Sequence, residues 1–523
     1  MSDYLALVEV DQRQNFILRA DKLREMLGAS QLIGETIPIA KGSLNHGVKL
    51  IWGVSGVLWL TSEELFPLKE TLGKIRREFR VRGLSATFAI GDYTDSSLDS
   101  ALKELQKRMR ILKNAKSGED ASPRSPFFAQ CSIQGQLSAN QWWPERPQTR
   151  RRLISDDSAV RLREGDEYRR NKHIAELQKK YKGKLEDFDD LVLSDSSSDS
   201  YISLCKADVD ALGRLLLKVN WADLAEALTG SPDGVPCSPE EAADRFSHAL
   251  CTVIEGAVWP TIEKLVARDR NAGDHKKDTC LPILPLVVAG DDIWILCRRD
   301  MAFPLAVHLS RYFEETAAKN EVLQTAIRLF QPQEPLSLSF GLLFAKKGFP
   351  FDAQLELAEE LERGAKTYRR ELELKSGCID YHWLESSGRE TIERAREAGY
   401  SIPDANDTFW LITRPWTVRD GEKMLEAAHL MLKIPRRKRH QLDTILRYGA
   451  QLSDLAYVRW LRGLTGNERN GFNSVLAAIP EHLRPADGGP WFFDRGKPCY
   501  KSCLAELAQL AEVVARPGED DAV

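Results

Sequence analysis

The sequence has 523 residues, too many for a single hydrophobic core, so two to four domains are expected. Hydrophobic residues make up 43% and charged residues 29%, as in an ordinary globular protein, and the net charge of −4 excludes a global basic field for holding nucleic acid. No apolar run reaches the roughly 18 residues of a membrane helix, and MSDYLALVEVDQ carries acids where a signal peptide carries cations, so a cytoplasmic protein with no membrane partner is expected. The nine cysteines are odd in number and form no CxxC, which argues against a disulfide framework or a zinc knuckle.

In chain order, YLALVEVD (4–11) reads as a buried strand ending in an acid, followed by a helical pattern to about residue 33. VKLIWGV and VLWLTS, joined by Ser55-Gly56, predict a hairpin. A helix over 63–80, the strand LSATFAIG (84–91) and a charged helix ending in Asn114-Ala115-Lys116 complete the unit. The same order then returns. YISLCKAD (201–208) is a strand ending in Asp208, and a helix follows Gly213. Residues 239–268 read as a helical insertion. LPLVVAG and DIWILC flank a turn at Gly290-Asp291, a helix covers 300–320, and LSLSFGLLFA (336–345) matches LSATFAIG. The last helix carries Gly364-Ala365-Lys366, the echo of Asn114-Ala115-Lys116.

The repeat is β-α-β-β-α-β, a split βαβ of the ferredoxin-like type. The expected fold class is therefore α+β, with two palm domains and a C-terminal helical domain. The boundaries expected are a degenerate first palm over 1–116, an inter-palm segment over 117–200, a catalytic second palm over 201–385 and helices over 386–523. The inter-palm segment is polar and basic and closes in the serine-rich, acidic DLVLSDSSSDS, a tract that reads as a flexible linker. The C-terminal part reads as helical without strand alternation, ending in the frayed tail PGEDDAV.

In a split βαβ the first strand and the hairpin are central neighbours. Asp208 at the strand end should therefore meet Asp291 and Asp292 in the turn. Three carboxylates repel one another unless a cation sits among them, and an all-oxygen set points to Mg²⁺ or Mn²⁺. Two such ions are the usual apparatus of phosphoryl transfer. Gly213 at a helix start is expected to cradle a triphosphate, with Lys366 and Arg370 reaching the outer phosphates. Gly290 is expected to let substrate approach without a Cβ in the way. Asp210 reads equally as a member of the site or as a solvated loop acid. Ser339 reads as pocket lining or as a plain strand serine. In the first copy, Asp11 is matched to Asp208, whereas Gly56 and Val57 stand where Asp291 and Asp292 would be, so that copy is expected to be catalytically silent.

These segments resemble a known family, the large signature subunit of type III CRISPR effector complexes. YLALVEVDQRQNFILRADKLREMLGAS is similar to its first palm, and SDSYISLCKADVDALGRLL to the opening of its second. VVAGDDIWIL resembles its Gly-Gly-Asp-Asp hairpin, with Ala289 in place of the first Gly. SLSFGLLFAKKGFPFDAQLELAEELERGAK resembles its last palm strand and helix, and TRPWT (413–417) the start of its helical domain. The resemblance implies a nucleotidyltransferase that joins ATP 3′ to 5′ into cyclic oligoadenylate, with two Mg²⁺ or Mn²⁺ ions on Asp208, Asp291 and Asp292. It also implies other type III effector subunits, guide RNA and target RNA as partners. Family members often begin with a His-Asp nuclease domain. No His-Asp dipeptide occurs in this sequence, so DNA cleavage is not expected. A cysteine pair frequent between the palms is reduced to Cys131, with Gln134 at the second place, so no zinc is expected.

Basic clusters occur at 74–77, 150–152 and 169–172. The cluster Arg436, Arg437, Lys438, Arg439 is the favoured candidate for RNA or partner contact. Trp142-Trp143-Pro144 reads as packing or as an interface anchor. The rival to a synthase is a catalytically silent scaffold subunit that binds nucleotide, guide or target RNA and partner subunits.

Overall fold

A computed structural model describes residues 4–19, 22–94, 97–115, 129–132, 139–143, 152–168, 172–181, 188–192, 200–229, 237–271, 280–384, 390–403, 408–486, 488–494 and 499–515. The first unit comprises β1 (Tyr4–Val10), α1 (Arg13–Leu18), α2 (Leu23–Gly34), α3 (Thr36–Ser43), β2 (Val48–Val54), β3 (Val57–Ser62), α4 (Leu65–Val81), β4 (Ala86–Asp92) and α5 (Leu98–Ala115). Its sheet has the order β2-β3-β1-β4.

Between the units lie β5 (Gln141–Trp143), β6 (Arg152–Ile154), α6 (Asp156–Tyr168) and α7 (Lys172–Tyr181). The described part of this segment includes packed helix. Helix α6 packs face to face on α2 because glycines remove the side chains from the crossing. A Cβ on Gly28 would strike the Arg161 carbonyl, and one on Gly165 the Arg24 carbonyl. Arg161 is fully buried there, donating to the Phe16 carbonyl at 2.7 Å and paired with Asp157 at 3.0 Å. The serine-rich tract 193–199, Gln134, most of the 150–152 and 169–172 clusters, and the tail 517–523 lie outside the described residues.

The second unit comprises β7 (Tyr201–Val209), α8 (Leu212–Lys218), α9 (Trp221–Thr229), α10 (Pro239–Asn271), β8 (Ile283–Ala289), β9 (Asp292–Arg298), α11 (Ala302–Lys319), α12 (Glu321–Phe330), β10 (Leu338–Lys346), α13 (Phe351–Glu371) and β11 (Cys378–Trp383). The remainder is α14 (Ile392–Tyr400), β12 (Ser401–Pro403), β13 (Thr408–Trp410), β14 (Trp416–Thr417), α15 (Val418–Met431), α16 (Arg436–Leu446), α17 (Ala450–Arg462), α18 (Gly466–Ala478), β15 (Phe492–Asp494), β16 (Cys499–Lys501) and α19 (Leu504–Val514). The second sheet runs β14-β11-β10-β7-β9-β8, so β8-β9-β7-β10 repeats the order β2-β3-β1-β4. Even the irregularities recur. The first hairpin slips register between Leu50 and Trp52, the second between Pro285 and Val287, each at the same distance from its turn.

The C-terminal part is not purely helical. It holds a small sheet of order β12-β13-β16-β15, whose strands are only three residues long and give no alternation to read. Helix α19 is buried and anchored to the segment that leads into β14. Fully buried Glu506 accepts from Thr413 N at 2.6 Å and pairs with buried Arg414 at 3.3 Å.

The two palms meet through their hairpins. Trp52 stacks on Trp59 at 4.5 Å, and Trp221 and Phe246 of the second unit pack on that pair at 6.0–6.1 Å. All nine cysteines are free thiols. Among the described residues, no helix is long and apolar enough to cross a membrane.

Candidate active site

Alternation along β7 turns Lys206 and Asp208 to one face of the sheet. Asp208 is the register partner of Asp292 on β9 and of Ser339 on β10. Residues directly opposed on antiparallel strands share a face, so the three form a row across the sheet. Helix α13 covers that face, and Gly341 sets how closely. A Cβ on Gly341 would strike the Ala358 carbonyl and stand 2.6 Å from Glu362 N. The close approach brings Glu359, Glu362, Lys366 and Arg369 onto the row from a single stripe of the helix.

The acids are already neutralised. Lys366 Nζ donates to Asp208 Oδ2 at 2.5 Å and lies 3.1 Å from Glu362 Oε1. Lys206 Nζ stands 3.3 Å from Asp292 Oδ1 and 3.7 Å from both Glu359 and Glu362. Trp294 Nε1 donates to Asp292 Oδ1 at 2.6 Å. Burial pulls both ammonium groups down. The carboxylates more than offset it, Asp208 and Glu362 for Lys366, and Asp292, Glu362 and Glu359 for Lys206, so both stay above the usual lysine range. Asp291 lies in the turn, its carboxyl raised by burial and then by the negative charge of Asp208 and Asp292, with Arg13 opposing.

Among the described residues no group of three or more His, Cys, Asp or Glu is set as a metal-holding cluster. Two lysines relieve part of the expected mutual repulsion, Lys366 on Asp208 and Lys206 on Asp292. The donors still suit a hard divalent ion. They are all carboxylate oxygens, and Asp208 and Asp292 each keep about a quarter of their surface exposed.

Other expectations are corrected. Ser339 is fully buried and lines no opening; it donates to Asp210 at 2.9 Å and accepts from Cys378 N at 3.2 Å. Asp210 is not a solvated loop acid. It is 2% exposed, accepts from Ser337 Oγ at 2.7 Å and lies 3.5 Å from Arg369 Nε, and burial raises its carboxyl to about 6. Arg370 is exposed, and Arg369 is the residue turned inward, held 2.9 Å from Glu334. Gly290 takes φ +64, but what its missing Cβ admits is the other hairpin: the atom would strike Val54 and lie 3.0 Å from Ser55 Cβ. Gly213 lies in α8 with open space above it, as a substrate approach requires. In the basic cluster, Arg439 is buried on Glu512 at 2.9 Å, Arg436 pairs with Glu512 at 3.1 Å and Lys438 with Glu468 at 2.6 Å. Only Arg437 of the four keeps an exposed side chain without a described pairing.

The internal match also shifts. Asp11 accepts from Ser85 Oγ at 2.9 Å and Thr87 Oγ1 at 2.6 Å, and its N–H donates to the Ser85 carbonyl at 2.9 Å. Asp210 does the same with Ser337 and Ser339, and a left-handed residue follows each acid: Gln12 at φ 44, Ala211 at φ 65. Asp11 therefore corresponds to Asp210, and Glu9 to Asp208. Glu9 lies opposite Val57 and pairs with Lys113 at 2.6 Å, as Asp208 lies opposite Asp292 and pairs with Lys366. Lys116, the sequence's match for Lys366, lies outside the described residues.

Sequence reasoning passed over Lys206, Glu359 and Glu362. Two signals pointed to them: the two-residue spacing of Lys206 from Asp208, and the four-residue spacing of Glu362 from Lys366.

Residues 201–372 match the family described as Cas10/Cmr2, second palm domain. That match makes the second palm similar to the Cas10/Cmr2 family over about a third of the chain. The whole chain is also similar in fold to a Csm1–Csm4 cassette solved in complex with pppApA. That match has 15% identity and a TM-score of 0.54, over 98% of this chain and 70% of that one. Cassettes solved with cA3 and with cA4 match at 14% identity, with TM-scores of 0.54 and 0.53 and the same coverage. No curated protein matches the chain. These likenesses agree with two palm domains and a helical part.

Proposed function

We propose that this Cas10-like chain is a nucleotidyltransferase and cyclase that makes cyclic oligoadenylate from ATP as a subunit of a type III CRISPR effector complex, with guide RNA, target RNA and other effector subunits as partners. The first palm would occupy 1–116, the second 201–385 and the C-terminal domain 386–523, with 117–200 as the inter-palm segment. The observation that carries this reading is the register pairing of Asp208 with Asp292, beneath Lys366, in a Cas10/Cmr2 palm. Relatives solved with pppApA, cA3 and cA4 support the choice of substrate and product.

Asp208, Asp291 and Asp292 would hold Mg²⁺ or Mn²⁺. Bound there, the ions would supply activation of the acceptor 3′-hydroxyl and neutralisation of phosphate charge. Lys366, released from Asp208, binds the β,γ-phosphates of the donor, and Lys206 holds Asp292 in place through their ion pair. The open face above Gly213 receives the triphosphate. The acceptor oxygen attacks the α-phosphorus in line, the bond to the β-phosphate oxygen breaks, and pyrophosphate leaves. Positioning and charge stabilisation carry most of the acceleration.

The engagement of both lysines with the carboxylates favours one second reading, a scaffold that binds nucleotide without turnover. Metal-dependent pyrophosphate release by the assembled complex with target RNA separates the two. Release supports the synthase, and its absence with every nucleoside triphosphate supports the scaffold.

A further inference from the structure

Ser55 and Gly290 hold the same place in the two hairpins and touch each other across the palm interface. The turn Ser55-Gly56 takes positive φ at both residues, 50 and 75. A serine at positive φ is disfavoured without outside support. Arg13, the first residue of α1, provides it: Nη1 donates to both the Ser55 carbonyl and Ser55 Oγ. Val54 and Ser55 then fill the space where Gly290 lacks a Cβ, one residue before Asp291. A second tie lies beside the first, with Gln14 Nε2 donating to Glu359 of α13. The same residues open onto a cavity of about 380 Å³, whose wall includes Arg13 and Ser55 of the first palm and Asp292 and Trp294 of the second.

We infer that Arg13 is a positioning residue for the acidic hairpin: by locking the Ser55 turn it makes the first palm the mould against which Gly290-Asp291-Asp292 is set. This explains why the chain retains a first palm whose hairpin lacks the acid pair. The inference rests on the proposed site, and it assigns that site's geometry to a residue of the other domain.

The test uses the full chain in its complex. Arg13→Ala, Arg13→Lys, Ser55→Ala and the Arg13→Ala/Ser55→Ala double variant are compared by amide hydrogen exchange over 286–294 and by kcat and KM for ATP. Arg13→Ala is expected to speed exchange at 289–292 about tenfold, leaving β1 and β4 protected, and to lower kcat about tenfold with KM within twofold. Arg13→Lys should recover most of both effects. The double variant should be no worse than Arg13→Ala, because the two residues act in one chain of contacts. Unchanged hairpin exchange in Arg13→Ala would overturn the inference, as would a rise in KM at constant kcat, which would make Arg13 a phosphate ligand. If the wild type is inert but its hairpin loosens in Arg13→Ala, the synthase reading fails and the positioning role stands.

Discussion

Asp11 and Asp210 occupy equivalent corners of the two palms, each receiving two hydroxyl hydrogen bonds and a backbone tie from the neighbouring strand. The two corners differ in burial, since Asp210 is 2% exposed and Asp11 is partly open. Asp210→Ala strands two buried hydroxyls and removes one of the two carboxylates facing Arg369. A loss of about 3 kcal/mol is expected, at the scale of a broken buried charged network. Asp11→Ala leaves solvent able to replace it and should cost about 1 kcal/mol. Urea unfolding of the two variants, read by near-ultraviolet circular dichroism, checks the difference.

Gly341 lies under α13 with no room for a methyl group. Gly341→Ala is expected to push the helix off the sheet and destabilise the second palm by about 2–3 kcal/mol, as overpacking does. Because Lys366 and Glu362 ride on that helix, the variant should also lower ATP affinity. Gly213→Ala, with open space above it, should leave stability within about 0.5 kcal/mol. Thermal unfolding with and without ATP distinguishes the two glycines.

His382 lies on β11, 5% exposed, and its pKa is lowered to about 3 by burial and then by the positive charge of Arg414 and Arg396. The folded chain therefore refuses a proton that the unfolded chain accepts near pH 6.5. Unfolding takes up a proton between those values, so stability falls as pH drops below 6.5, by about 2 kcal/mol at pH 5 from this residue alone. His382→Gln should flatten that slope, with little change at pH 8 in the pH dependence itself. Denaturant midpoints at pH 5, 6, 7 and 8 for both proteins test the sign.

Lys366 bridges Asp208 and Glu362. Lys366→Ala is expected to raise KM for ATP about tenfold, or about 1.4 kcal/mol. It should leave Mn²⁺ affinity unchanged or tighter, because a competing cation is gone. Equilibrium Mn²⁺ binding followed by electron paramagnetic resonance reads the second effect separately from turnover.

The duplication was legible in the sequence because hydrophobic runs, hairpin length and the Trp of each hairpin recur, and strand order follows from that pattern. The meeting of Asp208 with Asp292 was legible for the same reason. The pairing of Asp11 with Asp208 was not safe. A two-residue slip along YLALVEVD keeps every side chain on its face, and only the left-handed residues Gln12 and Ala211 fix the register. Gly290 and Gly341 both signal close approach, but a sequence does not say of what: one meets the opposite hairpin and the other a helix backbone. The fold of α6 was hidden because its contact with α2 is made by glycines and a buried arginine, which read as polar linker. The C-terminal sheet was hidden because three-residue strands carry no period.

The most direct measurement incubates the complex and target RNA with labelled ATP and Mg²⁺ or Mn²⁺, resolving products by chromatography and mass, beside an Asp291→Ala/Asp292→Ala complex shown to assemble with the same subunits and RNA. The account predicts oligoadenylates, cyclic in the completed product, from the wild type and at least a thousandfold less from the variant. Undiminished product from the variant would contradict the placement of the active site at this hairpin, and no product from the wild type with any nucleoside triphosphate would contradict the synthase itself.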